Sequence, residues 1–294
     1  MSIFISTKND DWFVFIWLSH LNLAQFRQTL ANLIPFGIKN HRRKVETPLL
    51  PVIDTHAHLD ELPDPDAAIR EAKEASILAI IAVGQDISSN KKTLEIASRY
   101  PGFVFPAVGY HPWRITEEST DETLAQIDAN LDGCVALGEV GLDYKAKVKK
   151  KIQKAIFHEI LAIAQRHDKP VIVHCRYSHK TAYNMVKEAG LKKAVFHWYS
   201  GPLDLVSLIA ADGYYMSATP ALLYNPYHER AIASVPLSSL LLETDTPVQY
   251  QQLAARPVHV RLTLQEVARV KQIPAEQIAA QTTRNARECF GLQS

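Results

Sequence analysis

An α/β fold of the (β/α)8 TIM-barrel type is predicted from three features of this 294-residue chain. From Leu50 onward, eight short apolar runs alternate with segments of helical period, the pattern of parallel strands joined by crossover helices. Most of these runs are apolar throughout instead of alternating with polar residues, as strands covered on both faces are. Their number favours a closed barrel. Periodicity does not register closure, so an open doubly wound sheet stands as the alternative.

The elements follow in order. Leu50–Asp54 reads as the first strand, and Asp64-Pro65 then supplies an N-cap and a first-turn proline for a helix over Asp66–Ala75. Strand Ile77–Val83 precedes the amphipathic segment Ser88–Tyr100, which ends at Pro101-Gly102. Phe103–Gly109 is a strand and Thr120–Ala129 a helix closed near Gly133. Strand Val135–Glu139, the long helix Lys149–His167, strand Pro170–His174 and helix Ser178–Ala189, stopped by Gly190, come next. Strand Ala194–His197, helix Leu203–Ala210, strand Tyr214–Ser217, a weak helix near Tyr227–Ser234 and strand Leu240–Glu243 complete the alternation. Thr263–Val270 and Ala275–Phe290 close the chain as helices. With no low-complexity linker and no internal repeat, residues 47–294 read as one domain.

Residues 1–46 read as an N-terminal extension outside it. They hold the apolar run Trp12–Leu18, a helical pattern around Leu21–Leu33 and the basic stretch Lys39–Lys44. A signal peptide wants positive charge before its apolar run, whereas Asp10 and Asp11 precede this one and the basic stretch follows it. An extension that is disordered or not native, and a contact with a membrane surface or a partner, are the readings left open.

Composition narrows the function. Residues 1–49 carry six basic and three acidic side chains, and the remaining 245 carry 26 basic and 28 acidic ones. The body is therefore not a basic nucleic-acid grip, and a phosphate substrate has to be met locally, by cations or a few Lys and Arg. Cys134, Cys175 and Cys289 lack paired spacing, which argues for a reducing, cytoplasmic setting and against a disulfide scaffold. No stretch is long and apolar enough to predict a membrane span.

The strand ends share one chemistry. Residues two apart on a strand point the same way, so His56 and His58 can present two imidazoles together, with Asp54 below them to hold a ring or take a metal. The third strand leads to His111, the fourth to Glu139 and Asp143, the fifth to His174, the sixth to His197 and the eighth to Glu243 and Asp245. Barrel sites are assembled from such ends at one face. Imidazoles with carboxylates suit Zn²⁺, Mn²⁺ or a similar ion, and Mg²⁺ prefers oxygen and water. Taken singly, each has a structural reading too: His174 and His197 as satisfied core residues, Asp143 and Asp245 as caps of the following turns. Glu139 is harder to dismiss, because a carboxylate on a buried strand needs a partner.

In sequence, Asp54-Thr-His-Ala-His58, Gly109-Tyr-His-Pro112, Gly138-Glu-Val-Gly-Leu-Asp143, Pro170-Val-Ile-Val-His-Cys-Arg176, Phe196-His-Trp-Tyr-Ser-Gly201, Gly213-Tyr-Tyr-Met-Ser217, Glu243-Thr-Asp-Thr-Pro247 and Thr282-Thr-Arg-Asn285 run in order to the C-terminus. With these motifs the chain resembles the TatD-type deoxyribonucleases, metal-dependent hydrolases on a (β/α)8 barrel. The resemblance implies two divalent ions (Mg, Mn or Zn). His56, His58 and Asp245 would hold one, and Glu139 would bridge to a second held by His174 and His197. It places His111 near the site, facing a phosphate or a further metal. Two departures bear on substrate contacts: Trp113 stands where the family often has histidine, and of the family's Arg-Asn-x-Pro element only Arg256-Pro257 is present.

The implied activity is deoxyribonuclease action of a 3′–5′ exonuclease-like kind on DNA ends or short single strands, by a monomer. Asp245 would accept a proton and Glu139 set the metal spacing; Arg176 and Lys180 read either as contacts to phosphate oxygens or as surface charges, and Trp113 and Tyr199, with Tyr110 and Trp198, either as a stack for a base or as core and rim packing. Hydrolysis of a carboxylic ester or amide such as an aminoacyl–nucleic acid bond, and a non-catalytic scaffold with a structural metal, are the alternatives.

Overall fold

The computed structural model describes residues 49–293 and two N-terminal strands, β1 (Ile3–Lys8) and β2 (Asp11–Ile16). These two pair antiparallel, Ile3 opposite Ile16 and Lys8 opposite Asp11, so most of the apolar run from Trp12 lies in a strand. The helix expected at Leu21–Leu33 and the basic stretch Lys39–Lys44 lie outside the described residues.

From Val52 the alternation becomes eight parallel strands in sequential order: β3 (Val52–Ala57), β4 (Ile77–Val83), β5 (Val104–Tyr110), β6 (Ala136–Asp143), β7 (Val171–Arg176), β8 (Ala194–Phe196), β9 (Tyr215–Ala218) and β10 (Leu240–Leu242). Closure comes from bonds between the first and last of them. His58 N donates to Thr246 O at 2.7 Å, Asp245 N to His56 O at 2.9 Å, and Thr55 Oγ1 to Leu242 O at 3.0 Å. The fold is a (β/α)8 barrel, and the open-sheet alternative is set aside.

The helices are α1 (Pro65–Glu74), α2 (Ile87–Arg99), α3 (Thr120–Asn130), α4 (Lys150–Arg166), α5 (His179–Glu188), α6 (Leu203–Ala211), α7 (Pro226–Ser234), α8 (Val260–Lys271) and α9 (Ala275–Phe290). Asp64 caps α1 by accepting from Ala67 N at 2.8 Å, as the Asp-Pro pair predicts. A two-residue ribbon, β11 (Gln249–Tyr250) with β12 (Leu253–Ala254), was not expected in the Gln- and Ala-rich stretch.

Within the apolar runs the faces still alternate. Ile53, Ile81, Val83, Ala107, Ile172, Val195 and Leu241 fill the barrel interior, and Phe290 of α9 packs with them. Val52, Ile80, Ala82, Val171, Val173, Leu240 and Leu242 pack outward beneath the helices. Both faces are apolar, which is why the pattern reads as continuous. Two phase slips matter for the site. On β6, Leu137 faces outward and so do Val140 and Leu142; the register shift between Leu137 and Val140 turns Glu139 and Asp143 inward. On β3, a shift between Asp54 and Ala57 does the same for His56 and His58. Gly109 makes room for the β6 slip, since a Cβ there would overlap the Gly138–Glu139 peptide.

Strands β6 and β7 also run on to Asp143 and Arg176, past the ends expected at Glu139 and His174. Their ladder continues through Gly141–His174 and Asp143–Arg176, with Asp143 and His174 bonded to each other inside the site. Among the described residues no helix is long and apolar enough to cross a membrane.

Candidate metal centre

The C-terminal strand ends bring the expected residues together around Glu139, which is 3% exposed and is divided between two sets of partners. Its Oε2 lies 3.6 Å from His56 Nε2 and 3.3 Å from His58 Nε2. Asp245 Oδ1 lies 3.5 Å from both of those nitrogens, which are themselves 3.1 Å apart. Its Oε1 faces the other way, 2.8 Å from His174 Nδ1, 2.8 Å from His197 Nε2 and 3.3 Å from His111 Nε2.

The donor set fits cations. Metal–ligand bonds of about 2.0–2.2 Å put tetrahedral ligands roughly 3.3–3.6 Å apart, and the four distances from His56 and His58 to the Glu139 and Asp245 oxygens fall in this range, with the two imidazole nitrogens slightly closer at 3.1 Å. His56, His197 and Glu243 form a further group of close donor atoms, and within it His56 Nδ1, His197 Nδ1 and Glu243 Oε2 are buried without a hydrogen-bond partner.

Charge points the same way. Burial opposes ionisation of Glu139, yet His111, His197 and His174 outweigh it and hold the carboxyl well below the ordinary range. Burial likewise opposes protonation of His58 and His197, but Asp245 and Glu139 at the first, and Glu139 and Glu243 at the second, push both well above the usual imidazole value. The pocket thus draws positive charge to itself.

Residues behind the donors orient them, as outer partners of metal-binding histidines commonly do. His58 Nδ1 donates to Val83 O at 2.8 Å, leaving Nε2 toward the cluster. His174 Nε2 lies 3.2 Å from Asp143 Oδ2, and His197 Nδ1 3.5 Å from Glu243 Oε1. Asp143 also accepts from Trp113 Nε1 at 2.6 Å and from Lys145 N at 2.7 Å. Burial alone would raise its pKa; these bonds, led by that to His174, bring it down to about 2.

Some expectations are corrected. Tyr199 is fully buried, its hydroxyl donating to Pro202 O at 2.8 Å, so it offers no face for stacking. Tyr110 is likewise in the core, bonded to Ser119. Asp54 neither holds a ring nor faces the cluster: it accepts from Thr244 N at 2.9 Å and Thr244 Oγ1 at 2.7 Å, clamping β3 to the turn that carries Asp245. Trp113 is 57% exposed, its ring against His111 and His174. Trp198 is half-buried, and Arg176 and Lys180 are exposed at the end of β7 and the start of α5.

Gln85, just past β4, was missed. Its amide nitrogen lies 3.1 Å from His58 Nε2. The signal was its position two residues after Val83 on an inward-facing phase, masked because glutamine is not a typical ligand. Cavity size is no guide either: a space of about 760 Å³ lined by Cys134, Lys169, Lys193 and Phe290 lies at the strands' N-terminal ends, away from the cluster.

A parallel barrel with imidazoles and carboxylates converging on one acid at its C-terminal end defines the metal-dependent hydrolase class. Residues 53–291 match the sequence profile of the TatD-related DNase family, and the chain belongs to that family. It is 29% identical over 258 residues to the human deoxyribonuclease TATDN3, covering 81% of this chain and 94% of that one. It is 30% identical over 255 residues to the metal-dependent hydrolase YabD of Bacillus subtilis, covering 82% and 99%. The crystal structure of the TatD homolog YjjV from Escherichia coli superposes with a TM-score of 0.75 at 28% identity, over 82% of this chain and 98% of that one.

Proposed function

We propose that this chain hydrolyses phosphodiester bonds of DNA, at ends or in short single strands, with two divalent cations of the Mg²⁺, Mn²⁺ or Zn²⁺ kind. The observation that carries the reading is Glu139, each of whose oxygens faces its own imidazoles. His56, His58 and Asp245 with Glu139 Oε2 would hold one cation, and His174 and His197 with Glu139 Oε1 the other. Cations there neutralise charge on a scissile phosphate and acidify a water. Asp245 turns Oδ1 to the two histidines, and its carboxylate would accept the proton that the attacking water loses. Asp143 holds the ring of His174 in place, and Glu243 faces that of His197 as a nearby charge. Arg176 and Lys180, free of burial, meet non-bridging oxygens, and Trp113 offers an indole face to a terminal base.

Residues 47–294 would carry this activity as a monomer, with 1–46 an extension outside the catalytic unit. A cytoplasmic setting is supported by three cysteines, all free.

Metal-stripped protein reconstituted with each cation and assayed in parallel on labelled single-stranded DNA, duplex DNA, RNA and an aminoacyl ester tests the proposal. Cleavage of single-stranded DNA above the other substrates is expected. Turnover of the aminoacyl ester alone would replace the phosphodiesterase reading, and stable metal binding without any turnover would favour a structural site.

A further inference from the structure

The loops at the C-terminal end of the barrel differ in charge from one side of the metal centre to the other. Asp60, Glu61 and Asp64 follow β3, Asp86 follows β4, and Glu117 and Glu118 follow β5. The one Lys or Arg in these loops, Arg114, is paired with Glu61 and Asp86. The loop after β6 is the opposite. Between Asp143 and Glu159 the chain has six lysines and no acid, and all six lysines are exposed. Arg176 and Lys180, at the end of β7 and the start of α5, continue the basic side.

Several exposed cations elsewhere pair with acids: Arg99 with Asp66, Arg166 with Asp128 and Arg256 with Glu71. Among the described residues, Lys145, Lys147, Lys149, Arg176 and Lys180 have no carboxylate in ion-pair reach. Like charges crowded together repel, so ion pairing within the fold does not account for the run. Hydrogen bonds fix this loop to the metal centre. Asp143, which meets His174 through Oδ2, accepts from Lys145 N through Oδ1 at 2.7 Å, and Tyr144 N donates to Arg176 O at 2.9 Å. Lys145 Nζ is 5.2 Å and Arg176 Cζ 6.0 Å from the centre of the Tyr177 ring. Tyr177 is 66% exposed, and its φ of 57° lies in the left-handed region. Glycine or asparagine adopts that backbone at less cost, and an exposed ring adds nothing to the core. Folding thus leaves unexplained an aromatic face set between two cations beside the cluster.

We propose that Lys145, Lys147 and Lys149, with Tyr177, form a track for single-stranded DNA that leads away from the metal centre over the ends of β6 and β7. The lysines meet phosphates flanking the scissile one, and Tyr177 stacks on a base, the combination of cations and aromatics that holds single strands. The acidic loops after β3, β4 and β5 repel the same polyanion, so the strand takes this side. That the track delivers DNA for cleavage rests on the phosphodiesterase reading above; the binding does not. A local track also reconciles a nearly neutral body with a polyanionic substrate.

The test is binding of a fluorescein-labelled twelve-residue oligothymidylate to the full, metal-free chain, read by anisotropy over a series of salt concentrations. Each phosphate neutralised on a single strand contributes about 0.7 to the steepness of log affinity against log salt. Combining Lys145→Ala, Lys147→Ala and Lys149→Ala should reduce that steepness by about 2 and weaken low-salt binding by roughly tenfold or more. Combining Lys73→Ala, Lys91→Ala and Lys92→Ala, the same charge removed from α1 and α2, should do neither. Tyr177→Asn, which keeps the left-handed backbone accessible, should weaken binding about tenfold at unchanged salt dependence. Melting of each metal-free variant reports whether it is folded. Wild-type salt dependence in the loop variant, or an equal loss in the α1 and α2 variant, would overturn the track. Wild-type affinity in Tyr177→Asn would overturn the stacking role. Polyglutamate of equal charge displacing the DNA as readily as unlabelled oligothymidylate does would make this a surface for acidic protein segments instead. In Zn²⁺-loaded protein, the KM for the oligothymidylate relative to a dinucleotide should rise in the loop variant; an unchanged ratio would overturn delivery. If the wild type cleaves neither, the phosphodiesterase reading fails, while the binding arms still decide the track.

Discussion

Replacing Glu139 by glutamine keeps the shape of the side chain and removes one charge shared by two sets of partners. Oε1 meets three imidazoles within 3.3 Å and Oε2 two more within 3.6 Å, in a pocket where the carboxyl is 3% exposed. Removing one member of a buried charge pair costs about 3–5 kcal/mol, which at about 1.4 kcal/mol per tenfold is a loss of roughly 10²–10³·⁵ in cation affinity. An amide is also a poor bridge, since one of its ends is a donor. Glu139→Gln should lose metal and rate together, and Asp245→Asn should differ in kind. There the proposed cations would still be held by His56, His58, His174, His197 and Glu139 while the water would lose its acceptor, so turnover should fall about 10²–10⁴-fold with the second cation retained. Mass-spectrometric metal content after equilibration in metal-buffered solution, beside nuclease assays, separates the two; melting of the metal-free proteins reports whether each is folded. Wild-type cation affinity in Glu139→Gln would refute the bridging geometry. Wild-type turnover of Asp245→Asn would refute the proton acceptor.

Other expectations follow from residues outside the donor set. Asp54→Asn places an amide N–H against the Thr244 N–H and hydroxyl it now accepts from; unsatisfied buried groups cost about 1–3 kcal/mol each, so melting of the metal-free protein should drop by roughly 4–10 °C, and a drop under 1 °C would remove the clamp role. His228 is fully buried, with Nδ1 on Tyr199 O at 2.8 Å and Nε2 accepting from Thr219 N at 3.1 Å, and burial pushes it down from 6.5 to about 4. Because the unfolded chain binds this proton first, its contribution to stability is full above pH 6.5 and is lost as the pH falls toward 4, by about 3 kcal/mol in total; a ring titrating near 6 by NMR would contradict this. Deleting residues 2–46 should leave turnover within tenfold of the full chain, since every donor atom lies beyond Asp54. A larger loss in folded protein would make the extension part of the catalytic unit.

The barrel was legible because each element is stated locally. Asp64-Pro65 caps α1, Gly190 and Pro101-Gly102 stop helices, and eight apolar runs of strand length need cover on both faces. That His56, His58, Glu139, His174 and His197 converge was legible as well, since imidazoles and carboxylates following apolar strands form a chemical pattern that needs no coordinates. Tyr199 misled because an aromatic beside a motif has the same letters whether it lies on the rim or in the core; here it is fully buried, against His179 of α5 and bonded to Pro202.

What the chain by itself determined, then, is the order of elements and the kinds of donor at their ends. Direction was decided by the tertiary structure. Strict alternation would aim Glu139 outward with Leu137, and it is the register slip against the neighbouring strands that turns it into the barrel. The roles of Asp54 as a clamp and of Gln85 as a neighbour of His58 depend on partners 190 and 27 residues away. Side-chain phase after a bulge, and the proton on an imidazole, are set by what lies across the gap, and that is information a linear pattern does not contain.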